Sequence, residues 1–223
     1  TNSKLSEAVM KIASNVMHPV QTSGNQGLEA AIKSTSHWNE NCKLNQTLYR
    51  VVAGMPLGTM ATSMRAESWE ALTEAVVPMY TNEENVSLQQ ELGGFLSAPA
   101  EVSVANVIAM AGEMPSAPTD IISQVGGTPI DDQAAAAWMI EMSEYANQLT
   151  GAPNILIQHD YGVPGGTFDP RSMAIVTYHA TTAEHEKVTN ALRADEGYLR
   201  RMSRVSDLFD MSSYFNILMR KII

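Results

Sequence analysis

The chain has 223 residues, 44% of them hydrophobic and 17% charged, which specifies a folded globular protein with enough chain to bury a core. A formal charge of −10 makes the surface acidic and excludes nucleic-acid backbones and membrane surfaces as partners; the short basic run Arg200, Arg201 and Arg204 does not reverse this. The single cysteine, Cys42, excludes an internal disulfide. No apolar run approaches the ~18 residues of a membrane helix. No basic-then-apolar leader is visible near the N-terminus, so a soluble, cytoplasmic protein is expected.

In chain order, residues 8–16 (AVMKIASNV) read as an opening strand. A helix is expected at about 26–41. Strands follow at 47–55 and 59–66, joined by the turn AGMPLGT (53–59). A helix starts after Ser68 and breaks near Pro78. A further helical stretch covers about 84–96, and 101–110 alternates as a strand. Residues 119–127 (TDIISQVGG) are the least strand-like of the expected strands. The alanine-rich stretch 131–149 is a helix, with Asp131 or Asp132 as cap and Gly151 and Pro153 as stop. Strands 154–162 and 172–180 flank the turn YGVPGGT (161–167). Thr181 or Thr182 caps the next helix, and Glu184 completes a capping box. A helical stretch at about 196–209 and the strand SYFNILMRKI close the chain.

The two turns align with each other. Gly54 falls on Gly162, Pro56 on Pro164, Gly58 on Gly166 and Thr59 on Thr167, each 108 residues on. At the same offset Leu48 meets Leu156, Asn39 meets Asn147 and Ile32 meets Ile140. Reading FDPRSM (168–173) as a six-residue insertion sets the offset at 114 beyond the turn, so Ala66 meets Ala180. Near the end Asn106 meets Asn216. The element order is therefore β-α-β-β-α-β twice, the ferredoxin-like unit, over residues 1–114 and 115–223. The fold class is α+β, with antiparallel sheets. The repeated turn is the hairpin between the second and third strands of each unit; without a lysine or a following helix it is not a phosphate loop.

On this repeat and element order the chain resembles a tandem member of the dimeric α/β-barrel superfamily. That group includes antibiotic-biosynthesis-type monooxygenases, muconolactone isomerases, haem-degrading monooxygenases, stress-responsive barrel proteins and, as fused duplicates, chlorite dismutase-like haem proteins. The resemblance implies two four-stranded sheets paired into a barrel with helices outside. The pairing is either internal to the chain or made in a homo-oligomer. It further implies a small apolar, aromatic or haem-like ligand in the interior.

Strand alternation sorts the polar candidates. If opposite residues of the second hairpin have numbers summing to an even value, then His159, Tyr161, Thr177 and His179 share one face. The first-copy counterparts are Val51, Ala53, Ser63 and Arg65, with Tyr49 on the same face. His159 and His179 are candidates for general base or haem ligand, because neutral imidazole suits both roles. Tyr161 is a candidate for orienting a phenolic or carbonyl substrate, Arg65 for binding a carboxylate, and Thr177 and Tyr49 for lining a ligand. A structural histidine at a strand end is the competing reading of both imidazoles.

No metal site is expected: two histidines are too few, and Glu184-His185-Glu186 lacks a second histidine one turn away. The contiguous His37-Trp38-Asn39 does not match a haem-degrading set. The 14 methionines read first as core filler. No cofactor is required, with haem the one considered. The leading functional expectation is a cofactor-independent monooxygenase- or isomerase-like enzyme acting on an apolar or aromatic molecule. The alternatives are a haem or hydrophobic-ligand binder and a non-catalytic stress or assembly module.

Overall fold

The structure is a computed structural model that describes residues 10–20 and 24–223. The chain runs β1 (Lys11–Met17), α1 (Gln26–Asn41), β2 (Gln46–Ala53), β3 (Met60–Ala66), α2 (Trp69–Tyr80), α3 (Glu83–Gly93) and β4 (Glu101–Ala111). It continues with β5 (Ile121–Gly127), α4 (Asp132–Thr150), β6 (Asn154–Tyr161), β7 (Met173–His179), α5 (Thr182–Ala194), α6 (Glu196–Met202), α7 (Val205–Leu208) and β8 (Phe215–Lys221). The first two residues expected in the opening strand lie outside the described residues.

Local chemistry sets most boundaries. Ser68, Asp131 and Thr181 each accept a backbone N–H from the first turn of α2, α4 and α5. The Glu184 carboxylate accepts from the amide of Ala180, the residue before the Thr181 cap, a variant of the expected capping box. Gly151 stops α4 in the left-handed conformation, at φ 75°. Pro78 lies inside the last turn of α2, so the helix runs on to Tyr80. The expected 196–209 helix is two pieces, α6 and α7, with a break at 203–204. Asn39 and Asn147 share one role: each donates its side-chain amide to a backbone carbonyl just past its helix, at Gln46 and Ala152.

The eight strands form a closed antiparallel barrel in the order β1-β3-β2-β8-β5-β7-β6-β4. Within each half the order is fourth, first, third, second strand, as in the ferredoxin-like unit. The halves join at two seams, β2 with β8 and β4 with β6. A single apolar cluster fills the interior and draws on both halves, for instance Ile12, Val51, Val107, Ile122, Ile157 and Ile217. The helices cover the outside.

Two glycines permit close approaches. A Cβ on Gly126 would lie 2.0 Å from the Met173 carbonyl oxygen, so the weak strand pattern of 119–127 reflects a strand that needs glycine to pair with β7. Gly54 has φ +91°, and a Cβ there would lie 2.0 Å from the Asn216 carbonyl oxygen on β8, at a seam. Gly58 has a similar φ of +87° but faces open space. Gly54→Ala is therefore expected to destabilise by more than ~2 kcal/mol, and Gly58→Ala, which pays only for backbone strain, by ~1 kcal/mol. Urea unfolding of both variants measures the difference.

Candidate functional site

The second hairpin pairs with an odd register. Asn154 lies opposite Thr177, Ile155 opposite Val176 and Ile157 opposite Ala174. In the first hairpin Tyr49 lies opposite Ala61, an even register. Structurally Met60 answers to Met173, an offset of 113, so the longer turn adds five residues to the shorter rather than six. One residue of slip exchanges the two faces of a strand. Arg65 thus answers to Tyr178, which points inward, while Thr177 and His179 point out toward the helices.

The sequence candidates separate accordingly. Tyr49, Arg65 and His159 all line a cavity of about 310 Å³ inside the barrel. Thr177 is half-buried on the outer face. His179 is sealed under α5: its Nε2 lies 3.1 Å from Ser123 Oγ and 3.3 Å from His185 Nδ1, and its Nδ1 is buried without a partner among the described residues. Tyr161 leaves the His159 face because β6 bulges at Asp160, where the register with β4 shifts. It is 61% exposed and stands edge-on to Trp69 at 5.2 Å. The expectation that His159, Tyr161, Thr177 and His179 form one face is corrected on both counts, register and bulge.

His159 is buried with its ring stacked on Phe168, centroids 4.8 Å apart. Its Nδ1 lies 3.0 Å from Ser172 Oγ. Burial lowers its pKa to about 4, against the opposing pull of the Ser172 backbone hydrogen bond and the Asp160 charge. His179 is lowered to about 4 by burial and then by the neighbouring His185. At neutral pH both imidazoles are uncharged.

A larger space lies outside the barrel, in the first half. A groove of about 910 Å³ runs between the outer face of β1, β3 and β4 and the helices α1, α2 and α3. Its floor includes Ala13, Met64 and Val104, and its walls include Trp38, Leu72 and Val76. Its polar groups are uncharged. Asn15 Nδ2 donates to Thr62 Oγ1 at 3.1 Å, and Gln89 Nε2 donates to Ser34 Oγ at 2.8 Å. Asn85 is 2% exposed, and its Oδ1 has no partner among the described residues. No Asp, Glu, Lys, Arg or His is among the described lining residues.

In the second half large side chains pack into the space between sheet and helices. Trp138, Met139 and Met142 of α4 pack with Leu208 and Phe209, and α4 lies directly on α5, whereas α1 and α2 scarcely touch. At the 108 offset Trp138 and Met139 stand where the first half has Ala30 and Ala31. Of the two alanines Ala31 lines the groove, and this small-for-large exchange is visible in the sequence.

A haem held by either candidate histidine does not fit this geometry: His159 faces the smaller cavity, and His179 faces neither space. No group of three or more potential metal-ligating side chains occurs among the described residues. Nor is any helix among them long and apolar enough to cross a membrane.

The strand order, the closed barrel and the outer helices define the dimeric α/β-barrel fold. Solved structures agree over nearly the whole chain. An anthrone oxidase-like protein matches with a TM-score of 0.68 at 8% identity, covering 98% of this chain and 93% of that one. A candidate monooxygenase from Fusobacterium nucleatum matches with 0.67 at 7% identity, covering 98% and 94%. A candidate chlorite dismutase matches with 0.55 at 11% identity, covering 97% and 96%. At these identities the likeness is one of fold. No family model and no curated protein matches the sequence.

The two buried imidazoles give stability a definite pH dependence. Each takes up a proton more readily when unfolded, near the ordinary histidine value of 6.5, than when folded, near 4. The unfolded chain therefore binds more protons between those values, and stability falls as pH drops through that window. His159 alone accounts for at most ~3 kcal/mol of the loss. Urea unfolding at pH 4.5 and pH 7 should show the drop, and His159→Gln should flatten it while leaving the part due to His179.

Proposed function

We propose that the chain binds a flat, apolar or aromatic small molecule in the first-half groove and acts on it as a cofactor-independent monooxygenase- or isomerase-like enzyme. The groove itself carries this reading: its volume lies toward the upper end of the ~300–1,000 Å³ typical of ligand pockets. Apolar walls with a few uncharged hydrogen-bonding groups suit a planar ring system bearing hydroxyl or carbonyl substituents. The unpartnered Asn85 Oδ1 would accept a ligand O–H, and the amide donors of Asn15 and Gln89 would turn toward a ligand oxygen.

The chemistry must suit a pocket without a strong base. The oxidation of an activated ring CH₂ by O₂ to a ketone and water balances without any external reductant. There the substrate's own enolate supplies the electrons, and amide donors stabilise the developing oxyanion. The anthrone oxidase-like and monooxygenase descriptions of two structural neighbours support this choice of reaction class. The single thiol, Cys42, donates to the Ala75 carbonyl at 3.3 Å and fits a reducing, cytoplasmic setting.

Tryptophan fluorescence tests the reading, because Trp38 and Trp69 line the groove and Trp138 does not. Anthrone is expected to quench it saturably, and O₂ uptake should accompany conversion to anthraquinone. Val76→Phe, which fills the groove from α2, should weaken binding at least tenfold. Quenching unchanged in that variant, or none with any flat aromatic probe, would remove the proposal. A saturable Soret shift with hemin, lost in Val76→Phe, would instead assign the groove to haem.

A further inference from the structure

We propose that the barrel interior is a second, separate binding site, for a small organic monocarboxylate held by Arg65, Gln124 and the hydroxyls of Tyr49 and Tyr178. Arg65 is a half-buried cation that points into the 310 Å³ cavity. Its guanidinium lies over the Tyr178 ring, 5.0 Å from the centroid. It has no carboxylate in ion-pair contact among the described residues, and no described residue lining the cavity is Asp or Glu. A cation withdrawn from water into such a place needs an anion to offset its desolvation.

Gln124 supplies an independent pointer. It lies on β5, 4% exposed, and its Nε2 is buried without a partner among the described residues. Leaving a buried donor unpaired is costly, and a ligand oxygen would satisfy it. Tyr49 and Tyr178 line the same cavity, and each brings a phenol O–H that can donate to a ligand oxygen. Burial raises both phenol pKa values, so both hydroxyls stay protonated.

The rest of the cavity selects the ligand class. Ile12, Ile122, Ile157 and Val176 wall it, and Phe168, stacked on His159, lines it as well. One positive charge matches one negative charge, and the planar guanidinium matches a planar carboxylate. The volume is at the low end for ligand pockets and suits an apolar body the size of one ring or a short branched chain. A phosphate dianion would find one cation and an apolar wall, a poor match in charge and shape.

The test is calorimetric titration of the full chain with benzoate, phenylacetate and 3-methylbutanoate, with benzamide and inorganic phosphate as controls. At least one carboxylate is expected to bind saturably at one equivalent, with benzamide at least tenfold weaker than benzoate if benzoate is the binder. Arg65→Gln should weaken binding at least tenfold, and Arg65→Lys less. Gln124→Leu covers the case in which the Arg65 variant fails to fold. It removes the orphaned donor, so it should keep or raise the melting temperature while weakening binding several-fold. Val76→Phe should leave carboxylate binding unchanged, which separates this site from the groove. Failure of all three carboxylates to bind, a preference for phosphate, or equal binding by wild type and the Gln124→Leu protein would overturn the proposal.

Discussion

Closure of the eight strands at two seams is the constraint on which the other features rest. An open four-stranded ferredoxin-like sheet would expose two edges and one apolar face. Here β2 joins β8 and β4 joins β6, so every strand is paired on both sides and both inner faces become one interior. Both seams carry register shifts, and Gly54 lets β2 come within contact of the β8 backbone. A barrel of eight strands leaves room for side chains and little more. Whatever those side chains fail to fill becomes a cavity with polar groups from both halves, which is how Arg65 from one half meets Tyr178 from the other.

The two halves use the same frame differently. In the second half Trp138, Met139 and Phe209 fill the space between sheet and helices and hold α6 and α7 against α4. In the first half Ala30 and Ala31 occupy the corresponding helix face, α3 packs on α1, and α2 stands away, so a groove remains. A helix layer that does not close over its sheet leaves apolar surface accessible, and it can be offset by a ligand. The asymmetry places the apolar recognition surface outside the barrel in one half and the charged one inside it.

The electrostatics divide along the same lines. The surface is strongly acidic, while the barrel interior carries one half-buried guanidinium and one imidazole, His159, that burial keeps neutral. Neutral His159 adds no charge to the cavity, so its field is set by Arg65. His159 and Tyr178 also stand at opposite ends of the β6–β7 pairing, since Tyr178 hydrogen-bonds Pro153 and His159 hydrogen-bonds Ser172. The imidazole is therefore part of the far wall rather than a partner of the guanidinium.

The sequence by itself determined the element order, because periodicity, caps and turn residues act over short stretches: Ser68, Asp131, Thr181 and Gly151 stop or start helices through contacts a few residues away. The likeness of the two turns likewise placed both hairpins and pointed to the barrel; Asn39 and Asn147 share one role past their helices, whereas Gly54 is left-handed at φ 91° and Gly162 is not. The repeat also singled out Tyr49, Arg65 and His159, which share the interior. Only the tertiary structure decided which way the second hairpin faces. The turn at 162–172 is five residues longer than its counterpart, an odd number that no local signal counts, and the bulge at Asp160 exists only because β4 lies beside β6. Those two long-range facts turned Thr177, His179 and Tyr161 away from the interior and brought Tyr178 in.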